Sequence, residues 1–76
     1  MRQDDREALE EMERQHQLGE LVRRTRRAIS ANRFTQAEAL AAEANELAPD
    51  TTTVEELLGD VAMAQKRYED ARRHFE

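Results

Sequence analysis

Residues 32–50 read NRFTQAEALAAEANELAPD and contain the chain's single proline, and their Phe34-x-x-Ala37 opening returns as Tyr68-x-x-Ala71 in KRYEDARRHFE at residues 66–76. Phe34 to Tyr68, Ala37 to Ala71 and Ala28 to Ala62 are each separated by 34 residues. Between its ends the stretch reads as one helix. Asn32 tolerates the left-handed backbone that ends helices, so it predicts a stop. Thr35 with Glu38 three residues on has the form of a capping box and predicts the next start. Ala37, Leu40, Ala41, Ala44, Leu47 and Ala48 make one apolar stripe, while Ala39 and Ala42 keep a second side small enough for another helix to approach. Pro49 closes the segment, because the residue before proline disfavours α geometry.

Upstream, Leu18, Leu21, Val22, Thr25, Ala28 and Ile29 fall within one arc at 100° per residue, and Arg23, Arg24, Arg26 and Arg27 occupy the other side. This predicts an amphipathic helix with a buried face that begins at Leu18. Residues 4–17 continue the helical pattern out of register with that face: Ala8, Leu9, Met12 and His16 lie on the arginine side. One long helix and two helices meeting near Gly19 both fit. Downstream, the TTVEE run from Thr52 to Glu56 offers a capping box, and Val54, Leu57, Leu58, Val61 and Ala62 line a third helix. A turn is expected around Lys66 and Arg67, followed by a fourth short helix over residues 68–76.

Composition narrows the class. A chain of 76 residues is one domain at most, and so small a core leaves little margin of stability. Charged residues make up 38% while glycine and proline total three, which suits amphipathic helices rather than a β meander. There is no cysteine, hence no disulfide, thiolate metal site or cysteine nucleophile. The absence of a long apolar run removes a membrane span and a signal-peptide core, so a cytoplasmic location is expected. The formal charge of −5 and the acidic first 17 residues, six Asp and Glu against three Arg, are the reverse of a nucleic-acid footprint.

Helix-turn-helix units at a period of 34 resemble the tetratricopeptide repeat family, helical solenoids whose hairpins bury their faces by stacking. The likeness covers residues 18–76. In a first unit, 18–51, Leu21 sits where the family often has tryptophan, Ala28 and Phe34 occupy inter-helix positions, and Ala37, Ala44 and Pro49 match the characteristic later ones; Leu58-Gly59, Tyr68, Ala71 and Phe75 match a second unit, 52–76, that stops short, while alanine replaces tyrosine at residues 28 and 62. Arg24-Thr25 stands in place of the leucine-glycine pair in the first unit, and Glu55 occupies the tryptophan position of the second. The resemblance implies an all-α fold of antiparallel hairpins stacked as a short solenoid, with residues 1–17 as an acidic helical extension. It also implies a protein-interaction module belonging to a longer protein. The partner surface then falls at Arg23, Arg26, Arg27, Glu56, Asp60 and Met63. The clamp by which chaperone-binding members hold carboxylates is not matched, since Val22, Arg26 and Leu57 stand at its positions.

The remaining clusters carry little chemistry. Arg23 to Arg27, RRTRR, is either a basic patch for an acidic peptide or a solvated face balanced by Glu20. Glu13 and His16 have the E-x-x-H spacing of carboxylate metal sites, but the second copy such sites need is missing. No phosphate-binding loop or serine elbow is present, so neither catalysis nor a cofactor is expected. The second function considered is structural homo-oligomerisation, with Leu9, Met12, Leu57, Leu58 and Phe75 as the self-association surface and Phe75→Ala expected to weaken it. The partners expected are therefore a protein or peptide and a second copy of the chain, with no nucleic acid or membrane.

Overall fold

In the computed structural model, which describes residues 3–75 and the side chains of residues 5–74, three helices follow one another: α1 over Gln3–Ser30, α2 over Phe34–Leu47 and α3 over Thr52–Phe75. Phe75 closes α3, and its side chain lies outside the described residues. α1 runs through Gly19 without a break. The glycine costs about 1 kcal/mol relative to alanine in a helix interior, which well-formed turns on both sides offset.

The stop after α1 is built as the sequence suggests. Asn32 is left-handed at φ 59°, its N–H donates to the Ile29 carbonyl at 3.0 Å, and the Arg33 N–H donates to the Ala28 carbonyl at 2.8 Å. This pair of back-reaching bonds is a Schellman cap. The capping box does not form, however: α2 starts at Phe34, one residue before Thr35, and its N-cap Arg33 makes no side-chain cap bond. With the chain leaving the Schellman turn already at the right angle for a helix, Thr35 falls inside the first turn.

Beyond α2, Ala48 takes an extended conformation before Pro49 and Asp50 is left-handed at φ 62°. Here too the expected cap moves. Thr51 Oγ1 donates to the Ala48 carbonyl at 2.9 Å and accepts from the Val54 N–H at 3.4 Å, so Thr51 caps α3 in place of Thr52 or Thr53.

The fourth helix is absent: α3 continues unbroken through Lys66 and Arg67 to Phe75. The physical reason lies at the position 34 residues after Asn32, which is Lys66. Lysine pays about 1–2 kcal/mol for the left-handed conformation that the first turn requires, and Gln65, Lys66 and Arg67 are all good helix formers.

The core lies where the three helices overlap. It consists of Thr25 and Ala28 from α1, Ala37, Ala41 and Ala44 from α2, and Val54, Leu57 and Val61 from α3. Leu18, Leu21, Val22, Ile29, Leu40 and Ala48 pack around it. The buried face of α2 is alanine alone, which lets α1 and α3 come close on its two sides. Thr25 is fully buried, and its hydroxyl donates to the Leu21 carbonyl at 2.7 Å, so no polar atom is stranded. Ala39 and Ala42, the small second side, are exposed, as are Leu58 and Ala62 on α3 and Ala71 beyond them. Phe34 and Tyr68 meet each other with ring centroids 5.3 Å apart and planes inclined by 56°, a tilted aromatic pair between the start of α2 and α3.

The helices are staggered. At 1.5 Å per residue α1 is about 42 Å and α3 about 36 Å long, yet the molecule extends 62 × 20 × 13 Å. The short linkers make α1 antiparallel to α2 and α2 antiparallel to α3, so α1 and α3 run in the same direction. α1 therefore overhangs with its N-terminal half, residues 5–17, all exposed, and α3 overhangs at the opposite end with residues 66–74, all exposed.

Candidate functional site

The parallel course of α1 and α3 leaves a groove between them of about 340 Å³, lined by Arg26, Ile29, Ser30, Asp60, Met63, Ala64 and Arg67. Residues lining its two walls are related by the same interval: Arg26 and Asp60, Ile29 and Met63, and Ser30 and Ala64 are each 34 apart. Ile29, Met63 and Ala64 give it apolar surface, Arg26 and Arg67 a guanidinium group from each helix, and Asp60 one carboxylate. Met63 is 57% exposed, a flexible thioether available to a visitor.

Of the six partner-surface residues taken from the sequence, the groove gathers Arg26, Asp60 and Met63. Glu56, one turn before Asp60 on α3, is exposed but outside the groove lining. Arg23 is engaged within its own helix, pairing with Glu20, and this guanidinium holds the Glu20 carboxyl below its ordinary pKa, first by hydrogen bonding and then by charge. Arg27 turns the other way. It lines a second groove of about 360 Å³ between α1 and α2 with Arg24, Ala28, Ala31, Arg33, Gln36 and Leu40. RRTRR is therefore not one patch, because the 100° step per residue deals its arginines to two flanks of α1.

Arg67 and Arg33 belong to these walls and were not singled out in the sequence, since both sat in presumed turns. The signal that could have found them is the interval itself: Arg33 and Arg67 are 34 apart.

On the self-association side, one residue is corrected. Leu57 is 1% exposed and is a core residue of the single chain, so it is not available to a second copy. The 100° period places Leu57 and Leu58 side by side on the helix, and only Leu57 points at α2; Leu58 remains 41% exposed. Leu9 and Met12 are 49% and 65% exposed. With Glu13, His16 and Gln17 they frame a shallow concavity of about 320 Å³ on α1. His16 and Gln17 also border a larger one of about 410 Å³ against α2, where Leu21 and Leu47 supply apolar surface. The apolar line of the leader therefore runs up to the α1–α2 seam. The exposed pairs Arg6–Glu10 at 3.5 Å and Arg14–Glu11 at 3.0 Å bridge successive turns of this overhang and contribute little to stability.

Among the described residues no three His, Cys, Asp or Glu side chains converge as a metal-holding group, and no helix is long and apolar enough to cross a membrane. No family model matches the chain, and neither a curated protein nor a solved structure does.

Proposed function

We propose that this chain is a non-catalytic protein-interaction module of the tetratricopeptide-repeat type, acting in the cytoplasm, with the α1–α3 groove as the seat of a partner peptide. The observation that supports the reading is the groove lining: three α1 residues, Arg26, Ile29 and Ser30, border the same groove as the α3 residues 34 positions on, Asp60, Met63 and Ala64. In a repeat array that surface is the concave one, where extended or helical segments lie. The groove's chemistry favours an apolar side chain seated against Ile29 and Met63. Flanking charges of the peptide, more acidic than basic, meet Arg26 and Arg67, with Asp60 selecting for a single cation.

The test is selection of peptides from a random display library on the folded chain, followed by amide chemical-shift mapping with the best of them. Shifts centred on Arg26, Asp60, Met63 and Arg67, together with at least about tenfold weaker binding after Met63→Glu, are expected. Shifts centred elsewhere, or selected peptides whose binding is indifferent to Met63→Glu, would contradict the assignment.

A further inference from the structure

The two overhanging helix ends differ in charge as well as in position. Residues 3–17 of α1 carry six acidic side chains against two arginines, whereas residues 66–75 of α3 carry Lys66, Arg67, Arg72 and Arg73 against Glu69 and Asp70. Each end also bares apolar surface: Leu9 and Met12 on the acidic end, Tyr68, 42% exposed, and Ala71 on the basic one. A helix that stands clear of the core gains little from tertiary packing, the main source of helical stability in water, and at the α3 end that packing is the Tyr68–Phe34 ring contact. Both ends are therefore surfaces in want of a neighbour.

We propose that the neighbour is a second copy of this chain, lying side by side and antiparallel, so that the acidic α1 end of each copy packs along the basic α3 end of the other. The stagger dictates this arrangement. Because the overhangs are at opposite ends of a 62 Å molecule, a two-fold axis perpendicular to its length brings each acidic end beside a basic one, and does so twice. A parallel side-by-side pair would set like charge against like and is disfavoured. The lengths agree as well: an overhang of 15 residues on α1 is about 22 Å and one of 10 residues on α3 about 15 Å, so each fills most of the space left beside the other. On α1, Asp5 and Glu13 stand one turn before and after Leu9, framing the apolar patch; on α3, Arg67 and Arg72 flank Tyr68 and Ala71. The interface has an apolar centre, with a charged rim that fixes its polarity. It shares Arg67 with the α1–α3 groove but does not rest on the peptide reading of that groove.

The experiment is molar mass by light scattering over about a hundredfold range of concentration, for the native chain, for Asp5→Lys/Glu13→Lys and for Arg67→Glu/Arg72→Glu. The native chain is expected to approach twice its monomer mass as concentration rises, and to dissociate as salt is raised from about 0.05 to about 0.5 M. Each double variant sets like charge against like at the positions that flank the two apolar patches and is expected to associate at least about tenfold more weakly. The two variants mixed in equal amounts restore opposite signs at both contacts and are expected to regain the dimer, a result that loss of folding could not mimic. A native chain that remains monomeric throughout, a dimer indifferent to both charge reversals, or a mixture that stays monomeric would overturn the proposal.

Discussion

The sequence SANRF at residues 30–34 and the sequence AQKRY at residues 64–68 stand one interval apart and end in aromatic residues that touch, yet the first is a turn and the second is a continuous helix. The difference lies chiefly in one side chain. Asn32 accepts a left-handed backbone and lets two back-reaching amides cap α1; Lys66 does not, and nothing else in its neighbourhood interrupts the helix. A 34-residue echo in packing residues does not by itself make a turn, and the end of α3 projects as a rod. The straight, exposed end of α3 follows from that, whereas the overhang of α1 has its own cause in the buried stripe that begins only at Leu18.

The sharpest way to break the comparison uses the alanines that share its register. Ala37 is fully buried while Ala71 is exposed. Ala37→Leu is expected to destabilise the chain by about 1–3 kcal/mol through overpacking between closely approaching helices, whereas Ala71→Leu should stay within about 0.5 kcal/mol. Paired thermal or urea melts decide; equal losses would mean that residues 68–75 are packed after all. Next in size is the turn residue. Asn32→Lys should cost about 1–2 kcal/mol, because it places the Lys66 solution in a position that must be left-handed, and the same melts read it. Smallest is the aromatic contact that ties the two regions together: Tyr68→Ala should cost about 0.5–1.5 kcal/mol. A null effect there would leave the C-terminal rod anchored only by its helical continuity.

How much of this was legible depended on which kind of signal was read. Periodicity located the core well. Thr25, Ala28, Ala37, Ala41, Ala44, Val54, Leu57 and Val61 all lie on stripes visible in the sequence, because burial on a helix follows its 3.6-residue turn. It could not tell which edge of a stripe would be covered, so Leu58 and Ala62 were drawn in with Leu57 and Val61. Caps were displaced at both helix starts, by two residues from Thr35 to Arg33 at α2 and by one or two from Thr52 or Thr53 to Thr51 at α3, since Thr35 and Thr51 differ in backbone setting and not in type. The turn at Lys66 was inferred by echo from the first unit, and local propensity prevailed where no distant contact opposed it. At the candidate groove, Arg26, Asp60 and Met63 were readable as faces of first helices, but Arg67 was hidden by the presumed turn that α3 runs through.

The central claim is that α3 remains one helix through residues 64–68, and a distance measurement tests it most directly. The chain has no cysteine, so Gly59→Cys, where an added side chain meets open space, and Arg73→Cys can carry a pair of spin labels. Double electron–electron resonance in an excess of unlabelled protein then reads the separation within one chain. A continuous helix predicts a single population with the two backbone positions about 21 Å apart. A population with the two positions about 8–10 Å apart, the spacing of packed helices in a closed hairpin, would contradict it.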